Sequence, residues 1–165
     1  MTTPPSGRLE NTPNGQDMIL TRTFRAPVED VWASITESGR TARWFGPWKG
    51  EAGAGRTIQV QLVFEEGQPW ADYTIEACTP PRHLALRTVD AYGDWHLEAT
   101  LTEHAGQTEL VFTHHLTEPE IAGSAGPGWE YYLDMLGAAL TGADRPDFDD
   151  YYPAMREYYE NLIPR

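Results

Sequence analysis

The run G-P-G-W-E-Y-Y-L-D-M-L-G-A-A-L-T-G, residues 126–142, decides how this chain is read. Trp129, Tyr132, Leu133, Leu136 and Leu140 fall at offsets of 0, 3, 4, 7 and 11, the period of one helical face. Pro127 suits a first helical turn, where a missing N–H is no loss, and Gly142 suits a left-handed C-terminal cap. At about 1.5 Å per residue the helix is a rod of about 22 Å, the width of a small sheet. So much aromatic surface needs a broad apolar partner, and the segments before it have the pattern to supply one.

Immediately upstream, Leu110, Phe112, His114 and Leu116 alternate with Glu109, Val111, Thr113 and His115. A turn at Ala105-Gly106 joins this run to Trp95, Leu97, Ala99 and Leu101. Before them come a short strand around Leu84 and Leu86, a run over 70–78 with Ala71, Tyr73, Ile75 and Ala77 on one side, and an alternating run through Ile58, Val60, Leu62 and Phe64. Period-two runs joined by short turns predict an antiparallel meander with one apolar face. Toward the N-terminus, Leu20, Arg22 and Phe24 share one side of a first strand over 18–25. Ala26-Pro27 then opens a helix whose stripe is Val28, Val31, Trp32 and Ile35, with Glu29 and Asp30 at its positive end. A second short helix runs from Ser38, a plausible N-cap, through Trp44 and Phe45 to Gly46-Pro47. Strand, two helices, meander and long helix make an α+β chain in which a curved sheet grips the helix.

The two ends read differently. Residues 1–16, rich in Pro, Gly, Thr and Asn, are expected to form a disordered leader, leaving 17–142 as the folded domain. Residues 143–165 are expected to be an acidic linker and a last helix docked on the domain, with Tyr151, Met155, Tyr158 and Leu162 at offsets of 0, 4, 7 and 11. The alternative use of that aromatic face is an oligomer contact, and a homodimer through it or through an edge strand is a candidate assembly. The aspartates at 144, 147, 149 and 150 lack the spacing and closing glutamate of a calcium loop.

A length of 165 residues with 40% hydrophobic content fits a single domain with one core. No run approaches eighteen apolar residues and no signal-peptide pattern opens the chain, so neither a membrane span nor export is expected. A single cysteine, Cys78, fits a reducing cytoplasm. A net charge of −13 argues against nucleic acid and anionic membrane surfaces as partners.

The run T-R-T-F-R-A-P-V-E-D-V-W-A-S-I-T at 21–36 is similar to the opening of the helix-grip superfamily, which includes START domains, the birch-pollen-allergen fold and polyketide cyclases. R-W-F-G-P-W at 43–48, E-A-C-T-P-P-R-H-L at 76–84, L-V-F-T-H-H-L at 110–116 and G-W-E-Y-Y-L-D-M-L at 128–136 resemble the bacterial branch related to activators of the heat-shock protein 90 ATPase. The likeness spans about residues 18–142. It implies a helix-grip fold: a seven-stranded antiparallel sheet, two small helices after the first strand, and a long helix closing a cavity. Ligands in that superfamily sit between sheet and helix. The architecture also hosts carriers, cyclases and co-chaperone-like domains, so function has to be argued from the site.

The expected lining comprises Trp44, Phe64, Tyr73, Trp95, Phe112, His114, Trp129, Tyr132, Leu133 and Leu136. His114, which matches the family's histidine in its strand, either bonds a ligand or moves a proton near neutral pH, or is a core histidine satisfied by a neighbour. Tyr73 and Tyr132 are either hydroxyl donors within the pocket or rings buried with the hydroxyl at a rim. Trp44, Trp70, Trp95 and Trp129 form either an aromatic cage or ordinary core packing. Arg22 shares the face of Leu20 and Phe24, and a surface or edge position is favoured for it over burial beside a carboxylate. No metal site is expected. His114 and His115 point to opposite faces of a strand, and the polar pair His96 and Glu98 lacks a third ligand. No base is placed near Cys78, and G-E-A-G-A-G-R at 50–56 precedes a strand rather than a helix, so neither a thiol nucleophile nor a nucleotide or other cofactor is expected. Three functions remain, the first preferred and the other two level. They are non-catalytic binding of a small apolar or aromatic molecule, a cyclase- or dehydratase-type enzyme using His114 with Tyr73 or Tyr132, and a co-chaperone-like module with a chaperone partner.

Overall fold

A computed structural model describes residues 4–91 and 93–164. Among these, eight strands form one antiparallel sheet: β1 Arg8–Thr12, β2 Gly15–Phe24, β3 Trp48–Lys49, β4 Thr57–Gln61, β5 Trp70–Thr79, β6 His83–Asp90, β7 Gly93–His104 and β8 Gln107–Leu116. Their spatial order is β1-β2-β8-β7-β6-β5-β4-β3. Two short helices, α1 (Val28–Thr36) and α2 (Ser38–Thr41), follow β2, the long α3 (Ala122–Thr141) follows the sheet, and α4 (Arg156–Leu162) ends the chain. This is the helix-grip architecture with eight strands where seven were expected.

The added strand is β1, which runs from Arg8 opposite Ile19 to Thr12 opposite Gly15. Residues 8–12 therefore correct the expectation of a disordered leader over 1–16, of which residues 1–3 lie outside the described residues. The segment is too polar to make a core of its own, but it pairs along β2 and lays Leu9 against the existing core. Gly15 makes the hairpin possible. Its φ is 146°, and a Cβ there would stand 2.6 Å from the Leu116 carbonyl oxygen.

The inward face follows the alternation. Met18, Leu20, Phe24, Leu97, Leu101, Leu110, Phe112 and Leu116 are buried beneath α3. That parity breaks once, at a bulge in β5 between Ile75 and Ala77. Before it Tyr73 and Ile75 point inward. Beyond it Cys78, opposite Leu84, does so, and Ala77 does not belong to the inward set. The strand expected to run through Phe64 stops at Gln61, because the chain turns with Glu65 N–H on the Leu62 carbonyl. Ser38 is not an N-cap, since Glu37 holds that place. Its hydroxyl instead bridges the backbone of Trp48, at 2.7 Å and 2.8 Å, and pins the start of β3.

The long helix begins at Ala122 rather than near Pro127, which lies inside it, and Gly142 closes it at φ 75°. Its polar side is buried as well as its apolar one. Tyr151, Met155 and Tyr159 of the C-terminal segment are buried against the domain, while Tyr158, expected on that stripe, is 38% exposed. Between the segment and α3 lies a polar knot around Glu130, which is 1% exposed. It accepts Arg22 Nη2 at 2.8 Å, the Ser6 amide at 2.6 Å and the Tyr159 hydroxyl at 2.7 Å. Arg22 also donates from Nε to Asp134 at 3.0 Å, and Asp134 accepts the Tyr151 hydroxyl at 2.7 Å. Arg22 is thus a largely buried cation with two carboxylate partners, not the edge or surface residue expected.

Gly126 lets Tyr159 sit on α3: a Cβ there would meet the ring at 2.4–2.6 Å. Gly126→Ala gains about 1 kcal/mol of helix propensity. It also drives a methyl into a ring tethered at its hydroxyl, an overpacking that costs about 1–3 kcal/mol. A net loss of up to about 2 kcal/mol is expected by urea unfolding, with faster amide exchange in α4. Unchanged exchange there would contradict this account of the joint.

Candidate ligand-binding site

Two adjoining chambers lie between α3 and the sheet. The inner one has a volume of about 160 Å³ and is lined by Trp44, Phe45, Tyr73, Phe112, Trp129, Leu133 and Leu136, with further aliphatic side chains of β4 to β8. The outer one, about 240 Å³, is bordered by Tyr73, Trp95, Trp129 and Tyr132 together with Glu65, Asp90 and Ser124. Phe45, Tyr73 and Trp129 border both and form the wall they share.

Trp129 is the hub of this wall. Its ring lies 4.6 Å from Phe112, 6.4 Å from Trp95, and stacks on Phe45 at 6.5 Å. Phe45 in turn meets Tyr132 edge-on at 5.0 Å. α2 and the residues after it hold Trp44 and Phe45 there through backbone bonds from Trp44, Phe45 and Gly46 to the Thr41 carbonyl. The indole N–H groups are tied back to protein: Trp44 to Ser34 O at 2.8 Å, Trp48 to Thr36 O at 2.9 Å, and Trp95 to Asp90 Oδ1 at 2.8 Å. Trp129 donates to His114 Nδ1 at 3.2 Å. What the inner chamber offers is therefore ring faces and aliphatic groups, with few polar atoms.

His114 borders neither chamber. It is 2% exposed and stacks on Trp95 at 4.9 Å. Burial, with the nearby His115 and His96, pushes its pKa down to about 4, so the ring is neutral at pH 7. Because Nδ1 accepts from Trp129, the proton of that neutral ring sits on Nε2. Tyr73 and Tyr132 do border the site. Burial, followed by the Glu65 charge, raises both hydroxyls above the ordinary tyrosine range. The Tyr132 hydroxyl donates to Glu65 Oε2 at 2.8 Å. Phe64 borders neither chamber and lies under the Arg145 guanidinium at 5.1 Å. Trp70 is 49% exposed, with Lys49 Nζ 4.3 Å from its ring, and takes no part in a cage.

The opposite face of the sheet carries a row of alternating histidines and carboxylates. His83 Nε2 bonds Glu98 Oε1 at 2.7 Å, Glu98 Oε2 bonds His115 Nε2, and His115 Nδ1 bonds Asp17 at 2.6 Å. Burial opposes charge on His115, but Glu98 and Asp17 prevail and its pKa is raised. Among the described residues no group of three His, Cys, Asp or Glu is placed to hold a metal ion, and no helix is long and apolar enough to cross a membrane.

Sequence reasoning missed Phe45, Glu65 and Asp90. Phe45 had a signal in its place next to Trp44. The two carboxylates had none, because they occupy turn and strand-end positions that read as solvent-facing.

A family model described as Activator of Hsp90 ATPase homolog 1-like protein matches residues 25–141. The crystal structure of CalU16 from Micromonospora echinospora is similar at a TM-score of 0.78 and 28% identity, over 98% of each chain. A Bordetella parapertussis protein solved by NMR is similar in fold at a TM-score of 0.73 and 24% identity, over 100% of this chain and 97% of that one. Among curated proteins there is no match.

Proposed function

The chain belongs to the family of activator of Hsp90 ATPase homolog 1-like proteins, and from that premise we propose that it binds a small apolar or aromatic molecule, without catalysis, between the sheet and α3. The inner chamber carries this reading. It leaves about 160 Å³ between the sheet and α3 that side chains of a close-packed core would occupy. A chain that needed only a core would gain by closing it. The size is close to that of an engineered cavity of about 150 Å³ that takes up benzene, so one ring or a short branched chain suits the inner end.

The enzymatic alternative has less support. A proton-transfer role for His114 with Tyr73 or Tyr132 needs the imidazole within hydrogen-bond reach of substrate, whereas His114 lies behind Trp129 and Trp95 with Nδ1 occupied. The co-chaperone alternative rests on the acidic surface and the Tyr-rich C-terminal helix; of those tyrosines Tyr151 and Tyr159 are only 2% and 0% exposed, which leaves Tyr158, 38% exposed, as the large apolar contact on offer.

Thermal-shift screening of single-ring hydrophobic compounds tests the proposal, because a ligand at 100 times its Kd stabilises by about 2.7 kcal/mol. Cys78 is the only cysteine and borders the inner chamber, so a hit should also slow its reaction with a thiol reagent. Ala99 faces the same space between Leu84 and Phe112. Ala99→Leu should weaken hits by about tenfold or more while costing at most about 1–3 kcal/mol of stability. Hits that leave Cys78 unprotected and tolerate Ala99→Leu would place binding elsewhere and sink the proposal.

A further inference from the structure

Six side-chain hydroxyls border the two chambers among the described residues. Five of them are committed to protein. Thr36 donates to the Trp32 carbonyl, Thr41 to the Gly46 carbonyl and Thr88 to the Asp72 carbonyl, each at 2.7 Å. Ser124 donates to the Ile121 carbonyl at 3.1 Å, and Tyr132 to Glu65 Oε2 at 2.8 Å. The indole N–H groups of the wall are taken as well. The sixth hydroxyl belongs to Tyr73, and among the described residues it has no hydrogen-bond partner.

Tyr73 is 5% exposed, yet its oxygen is not sealed in protein. The buried side-chain atom that is both sealed and without a partner among the described residues is Gln16 Oε1. The space onto which the Tyr73 oxygen opens is that of the chambers, since the residue borders both. Its ring is held in place on β5, paired with Ile58 of β4 and meeting Phe45 edge-on at 6.2 Å. A hydroxyl held in this way is a fixed donor, and a buried donor without an acceptor is costly. Burial first, then the charges of Glu65 and Asp90, raise its pKa and keep the proton on the oxygen. A carboxylate ligand would add a charge where burial already penalises one. A neutral oxygen carries no such penalty.

Resting on the ligand-binding reading above, we propose that the Tyr73 hydroxyl is the polar anchor of the site, and that the ligand is a neutral aromatic molecule with an accepting oxygen, such as an aryl ketone. The ring of the ligand lies among the apolar side chains of the inner chamber. Its oxygen accepts from Tyr73 at the wall that the two chambers share.

The test is made on the full chain with acetophenone and α-methylstyrene, which have the same shape and differ in a carbonyl oxygen against a methylene carbon. Affinity is read by NMR shift titration and by protection of Cys78 from a thiol reagent. Tyr73→Phe keeps the ring and removes the donor. It should weaken acetophenone by about threefold to tenfold, the worth of one neutral hydrogen bond, while α-methylstyrene holds its affinity or gains. The carbonyl stretch of bound acetophenone should lie lower in the unaltered protein than in the variant, and benzoate should bind more weakly than acetophenone. Because the hydroxyl has no acceptor in the protein, the urea midpoint of Tyr73→Phe should not fall. If the two probes respond alike to Tyr73→Phe, if the stretch is the same in both proteins, or if the midpoint falls, the anchor assignment is wrong while the ligand-binding reading stands. Tighter binding of benzoate than of acetophenone would overturn the neutral class in the same way. If neither acetophenone nor α-methylstyrene binds or protects Cys78, the ligand-binding reading fails and this inference fails with it.

Discussion

Glu130→Ala is expected to lower the unfolding free energy by about 3–5 kcal/mol, the cost of removing one partner from a buried charged pair. The carboxylate is 1% exposed, and the donors that converge on it come from three distant parts of the chain: Arg22 on β2, Ser6 at the N-terminus and Tyr159 on α4. Without it, the Ser6 amide and the Tyr159 hydroxyl lose their acceptor in a site with little water. Arg22 keeps only Asp134 as its carboxylate partner, at 3.0 Å. Domains of this size have about 5–15 kcal/mol of stability in all, so the variant should sit near the edge of folding. Glu130→Gln should not rescue it, because the amide would set a donor against guanidinium, amide and hydroxyl donors. Replacing Arg22 and Glu130 together by Met and Leu should recover much of the loss, since a full buried pair is often exchangeable for apolar packing. Urea unfolding of the four proteins decides the point. A loss below about 1 kcal/mol for Glu130→Ala would show that the knot is wet and contributes little.

The same knot marks where sequence reading stopped. Periodicity tells which side of a strand or helix is apolar, and on that basis the meander, the two small helices and the long helix with its Trp129, Tyr132, Leu133 and Leu136 face were legible. Periodicity does not tell what covers the other side. Glu130 and Asp134 fall outside the apolar stripe of the long helix, and Arg22 is expected at an edge or on the surface. Their partners lie 108 and 112 residues away from Arg22 in the chain, a separation over which no local pattern extends. β1 was missed for a related reason, since its pairing depends on the edge that β2 presents rather than on its own composition. Within the site, the bulge in β5 exchanged Ala77 for Cys78, a one-residue shift that alternation alone cannot anticipate. His114 was placed on the correct side of its strand, yet Trp129 and Trp95 close over it. Whether an inward residue reaches a cavity depends on which neighbour is larger, and that is a property of packing.

His114 and His115 should pull acid stability in opposite directions, and the first should dominate between about pH 6.5 and pH 4. Burial lowers the His114 pKa from 6.5 to about 4. Through that window the unfolded chain takes up a proton that the folded chain refuses, so the contribution is present above about pH 6.5 and is lost as pH falls toward 4. A displacement of this size corresponds to about 3 kcal/mol. The His115 pKa is raised by Glu98 and Asp17 against its burial. Its stabilisation is therefore complete below the ordinary histidine value and declines as pH rises through the elevated one, so it adds little slope on the acid side. Glu98, lowered by His115 and His83 against its own burial, loses its contribution only as pH falls through the carboxylate range. His114→Asn separates these contributions. Its side-chain oxygen can keep an acceptor for Trp129 Nε1 where Nδ1 now stands, while removing the titration. The variant should be less stable at pH 7, because the stack on Trp95 at 4.9 Å is lost, and should fall less steeply with acid. Urea midpoints at half-unit steps from pH 7.5 to pH 4 (an interval set by the pKa of about 4) should converge for the two proteins by about one proton's worth of slope. Parallel lines would mean that His114 takes up its proton in the folded state, that its site admits water, and that the seal between it and the chambers is open.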